Sequence, residues 1–114
     1  MIEIYHNPRC KKSRAGLHYV EEHCSDYKVI DYLKNPLSAE ELTTLLMKLS
    51  KKPHEMIRRQ EAYYKTNLKG KEFNDHEWIQ ILVENPKLIQ RPIVVSGHKA
   101  TWGDPLENIE ELLK

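Results

Sequence analysis

What most constrains this chain is how abruptly a strand gives way to a helix at its start. Ile2 and Ile4, with Glu3 and Tyr5 between and after them, form a short β-prone run that the turn signal His6-Asn7-Pro8 halts. No proline interrupts Ser13 to about Cys24, and Leu17, Val20 and Cys24 recur at the spacing that puts them on one helical face. Tyr27-Lys28-Val29-Ile30-Asp31-Tyr32 is a second strand candidate, so the order strand, helix, strand predicts a right-handed βαβ unit. A chain of 114 residues can build one substantial core but not two, so a single domain spanning 1–114 must carry everything.

The middle of the chain is helical. Ser38 and Glu41 have capping-box spacing ahead of Leu42, Leu45, Leu46 and Leu49, a stripe expected to be buried. Pro53 suits the first turn of a short helix running through Arg58 and Arg59, and Asn67 and Gly70 mark a loop. A further helix is expected from about Asn74, its cap, to Glu84, with Trp78, Ile81 and Leu82 inward and Asn85-Pro86 as its stop. Arg91-Pro92-Ile93-Val94-Val95, Ser96-Gly97-His98 and Lys99-Ala100-Thr101-Trp102 then read as a hairpin. Asp104 is suited to cap a last helix with Pro105 as its first residue and Leu106, Ile109 and Leu113 facing in. The order is β-α-β, a helical insert at about 38–86, then β-β-α, an α/β class with a mixed sheet.

Charge removes several function classes. The 18 basic and 17 acidic side chains nearly cancel and are interspersed, leaving no basic tail for nucleic acid and no patch for an anionic membrane. Nothing approaches the roughly 20 apolar residues of a membrane span, and the start lacks an export signal, so a soluble cytoplasmic protein is expected. The six histidines are scattered without metal-ligand spacing, so no metal is expected. Four glycines make neither a phosphate loop nor a dinucleotide fingerprint, and the aromatic residues read as packing.

Two cysteines remain. Cys10 falls where the first strand meets the first helix, and the unpaired N–H groups and positive dipole end of a helix favour an anion there. Lys11, Lys12 and Arg14 add positive charge, Ser13 is near enough to donate its hydroxyl, and His6 lies just before the turn. All of this favours a thiolate, although position and charge alone fit a small buried hydrophobe equally well. Cys24 is no resolving partner. About twelve helical residues separate the two by roughly 18 Å, against the ~6 Å between α-carbons that a disulfide needs. Core packing is expected for Cys24.

The segment His6-Asn7-Pro8-Arg9-Cys10-Lys11-Lys12-Ser13-Arg14 resembles the catalytic turn of the glutaredoxin-coupled arsenate reductases. Tyr32-Leu33-Lys34-Asn35-Pro36 is similar to that family's second-strand exit, Met56-Ile57-Arg58-Arg59 to its helical arginine motif, and Leu88 through Val95 to its long signature. The resemblance implies a thioredoxin-like fold with a cis Arg91-Pro92 bond. It also implies attack of the Cys10 thiolate on arsenate, with Arg58 and Arg91 gripping the oxyanion. Glutathione would act as co-substrate, glutaredoxin as the resolving partner, and no bound cofactor would be needed. Planar multi-donor guanidinium groups suit such an anion. Ser13 in place of a second cysteine agrees with a route that needs one protein thiol. In this reading His6, Ser13 and Arg14 support the thiolate, Pro92 is the structural cis-proline, and the protein acts as a monomer.

One position departs from the pattern. The family usually carries a third arginine immediately before the proline that opens its last helix, and here Asp104 precedes Pro105. Lys11 and Lys12 stand where small or neutral residues are common and would supply compensating charge. Two other readings follow. One is an interaction protein similar to the Spx-type regulators, which share the fold, carry a C-x-x-C switch at this turn and bind RNA polymerase. The other is a family member acting on a different glutathione-linked substrate.

Overall fold

The computed structural model describes residues 1–114. Strand β1 (Ile2–His6) leads through a turn into helix α1 (Lys11–His23), which returns the chain to β2 (Tyr27–Asp31). Helix α2 (Ala39–Leu49), a 3-10 turn at Pro53–Met56, a π-helical turn at Tyr64–Leu68, helix α3 (Asp75–Glu84) and a 3-10 turn at Pro86–Leu88 follow. The chain closes with β3 (Ile93–Ser96), β4 (Lys99–Trp102) and helix α4 (Glu107–Leu112). The sheet order is β2-β1-β3-β4, with β1 parallel to β2 and antiparallel to β3. The mixed sheet, with its helical segment between β2 and β3, has the thioredoxin-like arrangement.

Sheet alternation divides the interior in two. On β3, Ile93 and Val95 point to one face and Val94 to the other, as the period of a strand requires. Ile93 and Val95 join a core with Tyr32, the leucines of α2, and Trp78 and Leu82 of α3. Val94 and Ile4 meet Val20 of α1 and Ile109 of α4, all four fully buried, with Leu17 and Cys24 packed at their edge. Each such aliphatic side chain stabilises the fold by about 1.5–3 kcal/mol, so the sheet is held from both sides.

Local chemistry explains most boundaries. Ser38 and Glu41 form a reciprocal capping box at α2, and Asn74 and Glu77 do the same at α3. The hairpin pairs Ser96 with Lys99 across a tight turn, where Gly97 takes φ 63°, a value that favours glycine.

Three expectations are corrected. The helix at Pro53 ends at Met56, because Ile57 leaves it to form a β-bridge with Ile89. Arg58 and Arg59 therefore lie beyond the helix. The Asn67 region contains a π-helical turn ahead of Gly70. Asp104 does not cap α4, which begins only at Glu107 after a turn that Asn108 ties to the Trp102 and Asp104 carbonyls. That delay leaves Leu106 exposed where an inward position was expected.

Candidate active site at the β1–α1 turn

Because β1 and β2 are parallel, their C-terminal ends open at the same edge of the sheet, and the turn after β1 lies beside the segment after β2. The turn is heavily cross-linked. Cys10 N–H donates to the Asn7 carbonyl (3.0 Å), Arg9 N–H to Asn7 Oδ1 (3.0 Å), and the Arg14 guanidinium to the Pro8 carbonyl (3.0 Å). Asn7 N–H donates to Ser13 Oγ (2.9 Å), which also pairs with His6 Nδ1 (2.8 Å). His6, Asn7 and Ser13 are all buried.

Those bonds revise the role expected of Ser13. Its hydroxyl is committed to His6 and Asn7, so it is not the donor to Cys10; the Ser13 backbone N–H is. Cys10 is the N-cap residue of α1, where the N–H groups of the first helical turn act on its sulfur although the side chain makes no cap hydrogen bond of standard geometry. Partial burial pushes the Cys10 thiol up, but hydrogen bonds from Ser13 N–H, the Arg91 guanidinium and Lys12 N–H, together with the Arg91 charge, hold it below its ordinary value. His6 is lowered, chiefly by burial, so it is neutral at pH 7 and contributes as a hydrogen-bonding strut. Arg14 turns its guanidinium to the backbone of the same turn.

Arg91 crosses to Cys10 from the insert side. It is 7% exposed, and its NH1 donates to the carbonyls of Lys87 (2.7 Å) and Ile89 (3.3 Å), which fix the side chain. The following peptide bond to Pro92 is cis. Pro92 is wedged under α1, where a Cβ added to Gly16 would lie 2.5 Å from its ring. Trp102 Nε1 donates to the Arg91 carbonyl (3.1 Å), tying β4 to the same step.

Arg58 arrives by the Ile57–Ile89 bridge. Arg58 N–H donates to the Leu88 carbonyl (2.7 Å) and Gln90 N–H to the Met56 carbonyl (2.9 Å), so the two arginine-bearing segments run side by side. Its guanidinium pairs with Glu61 (2.9 Å) and acts on the Tyr32 hydroxyl. Lys12 pairs with Asp104 (2.9 Å), so the ammonium expected to replace a missing arginine is neutralised by the very residue in its place.

Tyr32 is the site residue that residue-by-residue reading did not single out. Its ring is 1% exposed, and burial pushes the phenol up to about 12, with Arg91, Cys10 and Arg58 as the charges around it. The available signal was topological: a polar-tipped aromatic directly after a strand parallel to β1 must face the turn that follows β1. No group of three or more His, Cys, Asp or Glu side chains is placed to hold a metal ion, and both cysteines are free.

A mixed sheet covered by helices, with one thiol held below its ordinary pKa at the strand-to-helix turn and a cis-proline step beside it, defines a protein of the thioredoxin-like class. Comparison with known proteins narrows the class. The ArsC family model matches residues 5–112, and the chain belongs to that family. It is 40% identical to the uncharacterised protein YfgD of Escherichia coli K12, over 98% of this chain and 96% of that one. It is 38% identical to an arsenate reductase of Neisseria meningitidis, over 98% and 97% of the two chains. The solved structure of an arsenate reductase from Vibrio cholerae superposes with a TM-score of 0.89 at 39% identity, covering 96% of this chain and 95% of that one.

Proposed function

We propose that this protein is an arsenate reductase-like thiol oxidoreductase in which the Cys10 thiolate attacks the arsenic of an arsenate-type oxyanion. The observation that carries this reading is the buried Arg91 guanidinium, fixed by two backbone carbonyls, whose charge lowers the Cys10 thiol and is the kind of cation an incoming anion needs. Sulfur bonds to arsenic, and an oxygen leaves as water after taking up protons. The thiol of glutathione then attacks the Cys10 sulfur, forming a sulfur–sulfur bond as the sulfur–arsenic bond breaks with its electron pair left on arsenic and the thiol proton passes to an arsenic-bound oxygen. Its sulfur and that of Cys10 give up two electrons, arsenic passes from the pentavalent to the trivalent state, and a mixed disulfide remains for glutaredoxin to reduce. Arg91 and Arg58 hold oxyanion oxygens; His6, Ser13 and Arg14 keep the turn in the shape that presents its N–H groups.

A cleft of about 740 Å³ opens beside the turn, lined in part by Arg9, Lys34 and Lys87 and by Asp31, Glu61 and Glu84. Its size and mixed charges suit the approach of a tripeptide thiol that carries both carboxylates and an ammonium. In this reading one domain over residues 1–114, with about 38–86 as its insert, carries the reaction as a cytoplasmic monomer. The Lys12–Asp104 pair favours a variant of this reading in which the preferred anion is not arsenate, because a carboxylate stands where the family offers a guanidinium.

The test follows NADPH oxidation through glutathione reductase in the presence of glutathione, glutaredoxin and arsenate. Wild-type turnover with none in Cys10→Ser is expected, and Arg91→Ala should raise the thiol pKa and weaken sulfate binding. Turnover that survives Cys10→Ser would refute the mechanism. A silent wild type that gains activity on Asp104→Arg would assign the chain to members that have moved away from arsenate.

A further inference from the structure

Two hydrogen-bond donors at the edge of the site are buried without an acceptor: the Tyr32 hydroxyl and Arg91 Nε. A buried donor left unpaired is unfavourable, and native folds keep few of them. They stand together. The charged groups that act on the Tyr32 hydroxyl are Arg91, Cys10 and Arg58. A guanidinium has donors only, so neither arginine can take the phenolic proton. Arg91 NH1 is already satisfied by the Lys87 and Ile89 carbonyls, and the guanidinium also leans on the phenolic oxygen of Tyr32, yet Nε has no acceptor at hydrogen-bond geometry. The Cys10 thiolate is the one anion among those groups and is a hydrogen-bond partner of neither donor, so a negatively charged acceptor is missing from both.

We infer that Tyr32 and Arg91 Nε form a two-donor subsite for one oxygen of the anion that Cys10 attacks, with Tyr32 as a further substrate-contacting residue. The inference rests on the anion-site reading above and extends it to a neutral donor. A neutral hydroxyl does something an additional arginine would not: it accepts no second charge into the buried site and distinguishes an oxygen that can receive a proton from one that already bears it. Because burial holds the phenol near 12, Tyr32 stays protonated throughout the working range and acts as a donor and not as a base.

The experiment uses the reduced full-length protein and its Tyr32→Phe variant. Sulfate and arsenate affinities are measured by calorimetry, and thermal stability is measured without added anion. The variant should bind both anions roughly tenfold more weakly or worse, as expected for losing a hydrogen bond to a charged group. It should also melt at the same temperature as the wild type or higher, because the free protein has lost an unpaired hydroxyl. A lower melting temperature with unchanged affinity would show that the hydroxyl is structural and overturn the inference. Equal affinity with equal stability would overturn it as well. A wild type that binds neither anion would instead sink the anion-site reading from which this one descends.

A second measurement does not depend on the variant folding. The Arg91 Nε–H cross-peak of ¹⁵N-labelled wild type should shift downfield as sulfate is added. A peak that stays fixed while sulfate binds would remove Arg91 Nε from the subsite.

Discussion

Replacing Ser13 by alanine separates two accounts of what keeps Cys10 reactive. If the hydroxyl held the thiolate, Ser13→Ala would raise the thiol pKa and leave the fold nearly untouched. The structure requires the opposite. The hydroxyl is fully buried, accepts from Asn7 N–H at 2.9 Å and pairs with His6 Nδ1 at 2.8 Å, while the backbone N–H, which alanine keeps, faces the sulfur. Alanine leaves two buried polar groups without a partner, at about 1–3 kcal/mol each. The better helix propensity of alanine offsets about 0.5 kcal/mol. A net loss of about 1.5–5.5 kcal/mol follows, a large part of the roughly 5–15 kcal/mol that holds a domain folded. In a domain of this size that lowers the melting temperature by about 6–22 °C. Circular dichroism during heating and urea unfolding measure the loss, and pH-dependent alkylation by iodoacetamide measures the thiol. A stable variant whose thiol titrates a full unit higher would refute the reasoning.

Three further outcomes are expected. Gly16→Ala should destabilise the protein although alanine is the better helix former by about 1 kcal/mol, because its Cβ would lie 2.5 Å from the Pro92 ring and such overpacking costs about 1–3 kcal/mol. Urea unfolding checks the sign, and a more stable variant would show that Pro92 yields freely. His6 has its pKa lowered in the fold, mainly by burial, so the unfolded chain binds the extra proton first. Stability should therefore fall as pH drops through about 6.5 and level off below the folded pKa, and the fall should be smaller in His6→Asn when urea midpoints are compared at pH 8 and pH 5.5. Asp104→Ala frees the Lys12 ammonium beside Cys10. It should tighten sulfate binding, most at low salt, with stability changed by no more than about 1 kcal/mol; unchanged sulfate affinity would mean that Lys12 does not face the anion.

Much of this was legible before any coordinates. The strand, turn and helix around Cys10, the capping boxes at Ser38 and Asn74 and the Gly97 hairpin each depend on contacts within a few residues, and neighbours in sequence specify such contacts. Resemblance added what locality could not, since Arg58 and Arg91 have no chemical reason in their own segments to meet Cys10. The errors share a cause. Asp104 has every attribute of an N-cap yet serves Lys12, across the molecule on α1, and the Ser13 hydroxyl is taken by residues of the preceding strand and turn.

The sequence by itself determined where a thiol would sit at the mouth of a helix and which elements would flank it, because helix dipoles, caps and turn residues act over one turn of chain. Only the tertiary structure decided which donors surround that sulfur, that Lys12 is neutralised, and that a buried tyrosine hydroxyl beside Arg91 is left without an acceptor. Those are matters of which polar group finds a partner once water is excluded, and residues far apart in sequence settle that competition.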